Sequence, residues 1–322
     1  MKIRPLRPRS LAGRGLVVGV IACLGIAPGL AQHASGPPAA SAPTAHEFKP
    51  EPLSPFESNL LARARSSGEV HHDEAPPTAG NNARGLILNG VEAAVVNLKV
   101  FGRKYGVSLD GTREVLIKNY TFTKRRSTDV FGSGLLVGSK VGTKGQTWLS
   151  NAWIDLQEAG PNPDYRLANN EAVTVERGNG LINIRHAVLI GGQESGLDNK
   201  GDVRMDASFI ASGHRSIRIW NGASVVLVNS TVLAYPGFSA VWFGGGKGVA
   251  RLEYYNCRFG RVGDPPEKLT DTIPDTLIDH DPEDPVQIEV TRLTKDPLNR
   301  DASTFWIPAA APLPPGYIQD TR

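Results

Sequence analysis

The sequence predicts an all-β solenoid: rungs of two or three short strands, preceded by a short helix and followed by an irregular proline-rich tail. Three observations lead there. Of 322 residues, 35 are Gly, 24 are Pro and only 7% are aromatic, a mix suited to many turns rather than to a helical bundle. From Arg84 to Gly260, short β-rich runs alternate with Gly, Asn and Asp turns, with no amphipathic helical pattern between them. Within that span one hexad recurs seven times: VVNLKV, IKNYTF, LSNAWI, IRHAVL, RMDASF, LVNSTV and YYNCRF.

The N-terminal segment reads as an export signal. Lys2, Arg4, Arg7, Arg9 and Arg14 precede the apolar run Leu16–Ala27, and Pro28, Gly29 and Ala31 follow it. This is the layout of a secretory signal peptide over residues 1–31, cleaved near Ala31. Val20-Ile21-Ala22-Cys23 also resembles a lipobox, so a lipoprotein anchored at Cys23 is the lesser alternative. No segment has the ~20 apolar residues of a membrane-spanning helix. The expected location is therefore secreted or periplasmic, which excludes nucleic acid as a natural partner.

Removal of the signal takes five of the 35 basic residues and leaves 30 against 32 acids. The charge is uneven. Residues 97–260 hold 20 basic and 13 acidic side chains, whereas residues 261–322 hold 6 and 12. A basic body favours an anionic polymer as partner. Cys257 is the single cysteine left after the signal, so no internal disulfide is expected. The sequence gives no sign of oligomerisation, and a monomer is expected.

Residues 32–83 read as a Pro/Ala-rich linker, carrying a capping helix at 56–70 with Phe56, Leu60, Leu61 and Ala64 at helical spacing. Residues 84–260 carry the repeats. Their polar positions are Asn97, Asn119, Asn151, His186, Asp206, Asn229 and Asn256, spaced by 20 to 35 residues, and the third residue after each is apolar. A repeat of this length with insertions confined to turns is a solenoid signature. An Asn column at an inward turn can hydrogen-bond from rung to rung. The two widest spacings place long turns at about 124–134 and 157–171, the first carrying Lys124-Arg125-Arg126. Residues 261–322 form an acidic, Pro-rich tail. Its apolar Phe305, Trp306, Ile307 and Tyr317 predict that it packs on the body and covers its end or a flank.

The repeat resembles the right-handed parallel β-helix of the pectate-lyase-like superfamily over residues 84–260. The resemblance implies the architecture and a carbohydrate-active protein. It does not choose among the lyases, hydrolases, epimerases, esterases and non-catalytic adhesins of that superfamily. Family signatures are broken here. Trp153-Ile154-Asp155 is followed by Leu156 where pectate lyases have His, and Ile278-Asp279-His280 lies in the tail. The Asp-Pro-His-Glu run of alginate epimerases is absent. Asp198-Asn199-Lys200-Gly201-Asp202 carries Lys where a calcium loop needs an acid.

Strand alternation gives two outward columns. One is Ser108, Leu136, Thr174, Asp198, Arg218 and Trp242; the other is Asp110, Gly138, Glu176, Lys200, Trp220 and Gly244. Glu176, Asp198, Lys200, Arg218, Trp220 and Trp242 then share one patch. Trp220 and Trp242 offer faces for sugar rings, and His214 and Arg215 overhang from the preceding turn. On this reading Lys200 or His214 is the base and Arg218 the carboxylate clamp of a β-elimination on a uronate-containing polysaccharide. A glycoside hydrolase using Glu176 and Asp198, with Asp202 and Asp206 as further candidates, is the alternative. A non-catalytic carbohydrate-binding surface protein is the other. No metal ligand set is assigned, and calcium bridging Glu176, Asp198 and a carbonyl is the one cofactor entertained.

Overall fold

The computed structural model describes residues 53–74, 84–123, 131–138, 140–156 and 169–298. The predicted signal and Cys23, the Lys124-Arg125-Arg126 run, and Phe305, Trp306, Ile307 and Tyr317 lie outside these residues. Among the described residues no helix is long and apolar enough to cross a membrane.

The chain shuttles between two sheets, and each strand pairs with the strand one circuit later. All pairings between the strands are parallel. The first sheet stacks Val70–Glu74, Ala93–Phe101, Glu114–Thr123, Gln146–Leu156 and Ile182–Gly191. It continues through Asp202–Asp206, Ser224–Val228, Val249–Tyr255 and Gln287–Arg292, with Phe209–Ser212, Thr231–Ala234 and Arg258–Arg261 alongside. The second sheet runs Arg84–Asn89, Tyr105–Asp110, Phe131–Val137, Asn169–Val175, Ser195–Asn199, Arg215–Trp220, Ser239–Gly244 and Ile278–His280. The β-structure thus also takes in Val70–Glu74 ahead of the repeats. The acidic segment after residue 260 supplies one further strand to each sheet.

The core lies between the sheets. In the second sheet Val107, Leu135, Val173, Leu197, Ile217 and Val241 stand in one register column, and all are buried. Each such side chain contributes roughly 1.5–3 kcal/mol on burial. Asn199 interrupts a neighbouring apolar column, buried but satisfied by the carbonyls of Gly201 and Ser224 at 2.9 and 3.0 Å. The residues just before the first column are Gly85, Gly106, Gly134, Ala172, Gly196, Ser216 and Ala240. They are small because they too face inward: a Cβ on Gly134 would stand 2.6 Å from Ile154 Cγ2 and 2.8 Å from the Ala172 carbonyl. Gly134→Ala is therefore expected to destabilise by about 1–3 kcal/mol through overpacking, measurable as a lower urea midpoint.

The polar column is a row of left-handed corners. Asn119, Asn151, His186, Asn229 and Asn256 have φ between 47° and 54°, a region that Asn tolerates and most residues avoid. Asn151 donates to Asn119, and Asn256 to Asn229, both at 2.8 Å. Two positions differ from the sequence reading. The corner in the Asp206 rung is Ala207, with φ 45°; Asp206 pairs with Val228 in the strand before it. Asp206 is instead buried against Arg185 at 3.1 Å, which makes it structural and removes it as a candidate acid. Asn97 has no left-handed corner, because the first rung is shorter and the register slips between Val96 and Lys99. Asn229→Ala would break the step to Asn256 and the 3.3 Å bond to Asp206 Oδ1. A loss of about 1–3 kcal/mol is expected, read as a lower denaturation midpoint.

The helix runs Pro55–Ser67. Ser54 and Glu57 form a reciprocal capping box, and Gly68, at φ 76°, ends the helix before the predicted Val70. Leu60 and Ala64 pack on Ala93, Val95, Leu116 and Trp148 of the first sheet. Glu57 also takes Lys118 Nζ at 2.7 Å in a buried pair.

Candidate active site on the outer face of the second sheet

The first predicted outward column is continuous in register. Ser108, Leu136, Thr174, Asp198, Arg218 and Trp242 are successive partners, and Asp279 extends the row. A further outward column was missed by strict alternation: Tyr105, Ser133, Glu171, Ser195, Arg215 and Ser239. Two successive inward residues, the small one and the apolar one, put these side chains on the same face as Thr174 and Trp242. Thr174 Oγ1 lies 3.0 Å from Ser133 Oγ and 3.3 Å from Glu171 Oε2, and Arg215 stacks 4.7 Å from the Trp242 ring centre.

The face is a dense charge network. Glu194, in the turn before Ser195, is 1% exposed. It takes Arg215 at 2.5 Å and Arg218 at 3.2 Å, and its second oxygen stands 3.6 Å from His214 Nδ1. Burial pushes its carboxyl up, but the approach of His214 and the charges of Arg218 and Arg215 outweigh this and hold it below the usual carboxylate range. Asp198 accepts Trp220 Nε1 at 2.5 Å, with Lys200 and Arg218 each at 3.6 Å. Arg218 lies between two rings, 4.7 Å from Trp220 and 5.1 Å from Trp242. Lys200 bridges Glu176 at 2.8 Å and Asp198. Its ammonium stands between the two carboxylates that calcium would bridge.

Glu171 differs from its neighbours. It is buried, and among the described residues no cation forms an ion pair with it. Burial raises its pKa first and the Asp198 charge adds to this; Arg218 opposes, Glu194 raises and Lys200 opposes, with a net rise to about 8. A carboxyl whose pKa is raised to about 8 keeps its proton near neutral pH. Its carboxyl accepts from Thr174, the register partner of Asp198, and the Asp198 charge acts on it.

The structure gathers Glu176, Asp198, Lys200, His214, Arg215, Arg218, Trp220 and Trp242 on this one face. Their availability differs. Trp242 is 4% exposed and its ring is engaged by both guanidinium groups, while Arg218 already holds two carboxylates. Glu176, Lys200 and Trp220 border an open concavity of about 450 Å³ that also touches Lys140 and Arg177. Asp202 lies apart, bonded to Ser224 at 2.5 Å in the first sheet. Glu171 and Glu194 escaped the sequence reading because both fell at the edges of turns. The long turn expected at 157–171 gives way to a strand from Asn169 that includes Glu171. The recurring small residue after Glu171 and its column mates was the available signal. Among the described residues no group of three or more His, Cys, Asp or Glu side chains is placed to hold a metal. No protein-family model, curated protein or solved structure matches the chain.

Proposed function

We propose that the chain is an exported right-handed parallel β-helix protein of pectate-lyase-like architecture that hydrolyses glycosidic bonds in an acidic polysaccharide. The observation that carries the reading is Glu171, a buried carboxyl whose pKa is raised to about 8 by burial and by the charge of Asp198 on the neighbouring strand. A carboxylic acid that keeps its proton near neutrality, with a second carboxyl on the next strand, is what glycosidic cleavage needs. Glu171 donates its proton to the leaving oxygen, and Asp198 offers negative charge to the developing cation or to a water. Lys200, Trp220 and Arg218 fix Asp198, and Glu194 fixes Arg218. Lys140, Arg177 and Lys200 outnumber Glu176 around the concavity, which suits uronate carboxylates.

The β-elimination reading is less well supported. It asks Arg218 to clamp a substrate carboxylate, and Arg218 is held by Glu194, Asp198 and two indoles. It asks Lys200 to act as a base while bridging two carboxylates. The two are separated by incubating the purified protein with a panel of uronans, with and without calcium, and following reducing ends and unsaturated-uronate absorbance together. Hydrolysis predicts new reducing ends without absorbance. A rise in absorbance would restore Lys200 or His214 as base and Arg218 as clamp. Retention on a polymer with neither signal would make this a carbohydrate-binding module.

A further inference from the structure

A second cavity, of about 280 Å³, lies at the end of the same face and is lined by His214, Phe238, Ser239, Arg261, Thr276 and Asp279 among others. Three features of it lie apart from the Glu171 and Asp198 carboxyls. Ser239 is 8% exposed, and among the described residues its hydroxyl has no hydrogen-bond partner. His214 Nδ1 faces Glu194 Oε2 at 3.6 Å, and among the described residues neither atom has another hydrogen-bond partner. Phe238 meets the His214 ring edge-on at 5.2 Å and fixes its plane.

We propose that Ser239, His214 and Glu194 form a nucleophile, base and orienting carboxylate for cleaving small acyl esters. The register supports the grouping. Arg215 and Ser239 are direct strand partners, so His214, one residue before Arg215, stands diagonally beside Ser239. Glu194 addresses one ring nitrogen of His214, which leaves the other for the cavity it lines. A carboxylate on one edge of an imidazole, with a serine lining the same cavity as that imidazole, is the set from which a serine is activated, and the contacts of such sets are often loose before substrate binds. Glu194 is already held ionised by Arg215 and Arg218, so it can stabilise the imidazolium.

The step balances without a cofactor. Ser239 Oγ gives its proton to the free His214 nitrogen and bonds to the acyl carbon. The tetrahedral adduct expels the alcohol oxygen, which takes that proton. Water, deprotonated by His214, then attacks the acyl-serine, releasing the carboxylic acid and restoring Ser239. The cavity of about 280 Å³ has room for a short acyl chain beside Ser239. The substrate class is a small acyl ester.

The test uses the full mature chain, a fluorophosphonate probe and a soluble aryl acetate. The expected result is covalent labelling at Ser239, with ester turnover reduced at least about 100-fold in both Ser239→Ala and His214→Asn. Ser239→Cys provides a reading that does not depend on turnover: iodoacetamide should alkylate Cys at 239 rapidly, and His214→Asn should slow it about tenfold or more. Absence of label at Ser239, or unchanged ester turnover in Ser239→Ala, would overturn the proposal. So would alkylation indifferent to His214. None of these readouts involves glycosidic cleavage, so the two readings fail separately.

Discussion

Glu171→Gln is expected to lower glycosidic cleavage by about 10²–10⁴-fold and, at the same time, to stabilise the fold at neutral and alkaline pH. Both follow from one buried proton. As the acid, Glu171 works while protonated, so cleavage should fall as pH rises through about 8. Gln cannot donate, and the alkaline limb should disappear with the activity. The stability effect has the opposite sense. The folded pKa is raised above the unfolded value, so the native state binds the extra proton. That stabilisation is complete below the unfolded pKa of about 4.5 and is lost as pH rises through about 8. Gln keeps the amide-sized shape without a charge to bury, so melting temperatures of the variant should decline less steeply across this window. A gain in stability coupled to a loss of function marks a site held against its own stability.

Glu194→Gln is expected to be among the most damaging single substitutions, costing about 3–5 kcal/mol. Arg215 and Arg218 have side chains only 15% and 11% exposed, and Glu194 is the closest carboxylate to each. Removing its charge leaves two partly desolvated cations close together against indole rings. The pH sign is reversed relative to Glu171. The folded pKa of Glu194 is depressed, so its contribution is present above the unfolded value and is lost as pH falls below that value through the folded one. The contributions of Glu171 and Glu194 therefore slope in opposite directions with pH. By contrast the exposed Arg292–Asp271 pair should contribute under about 1 kcal/mol, and Asp271→Asn is the control in the same denaturation series.

Parallel strands, the corner row and the face carrying the charges were readable from the sequence because each rests on a repeated local requirement. Left-handed corners select Asn, and the apolar residue three positions on must enter the core, so the hexads align by eye. The exception is instructive. In RMDASF the corner is Ala207, and alternation of polarity pointed one residue too early, to Asp206. Such a slip is invisible without the neighbouring Asn229 step that fixes register. The outward column of Asp198 and Arg218 followed from alternation. The column of Glu171 and Arg215 did not, because the small residues at 106, 134, 172 and 196 allow two successive inward positions. The protonation of Glu171 was out of reach for a different reason. It depends on burial together with the Asp198 charge on the next rung, which no spacing along the chain records.

The most direct test of this account is the titration of Glu171 itself, followed by carbon-13 NMR of glutamate-labelled protein and assigned with Glu171→Gln. The account predicts a carboxyl that retains its proton at neutrality and titrates near pH 8. A Glu171 resonance that titrates in the ordinary carboxylate range would contradict it and leave the face a structural charge ladder.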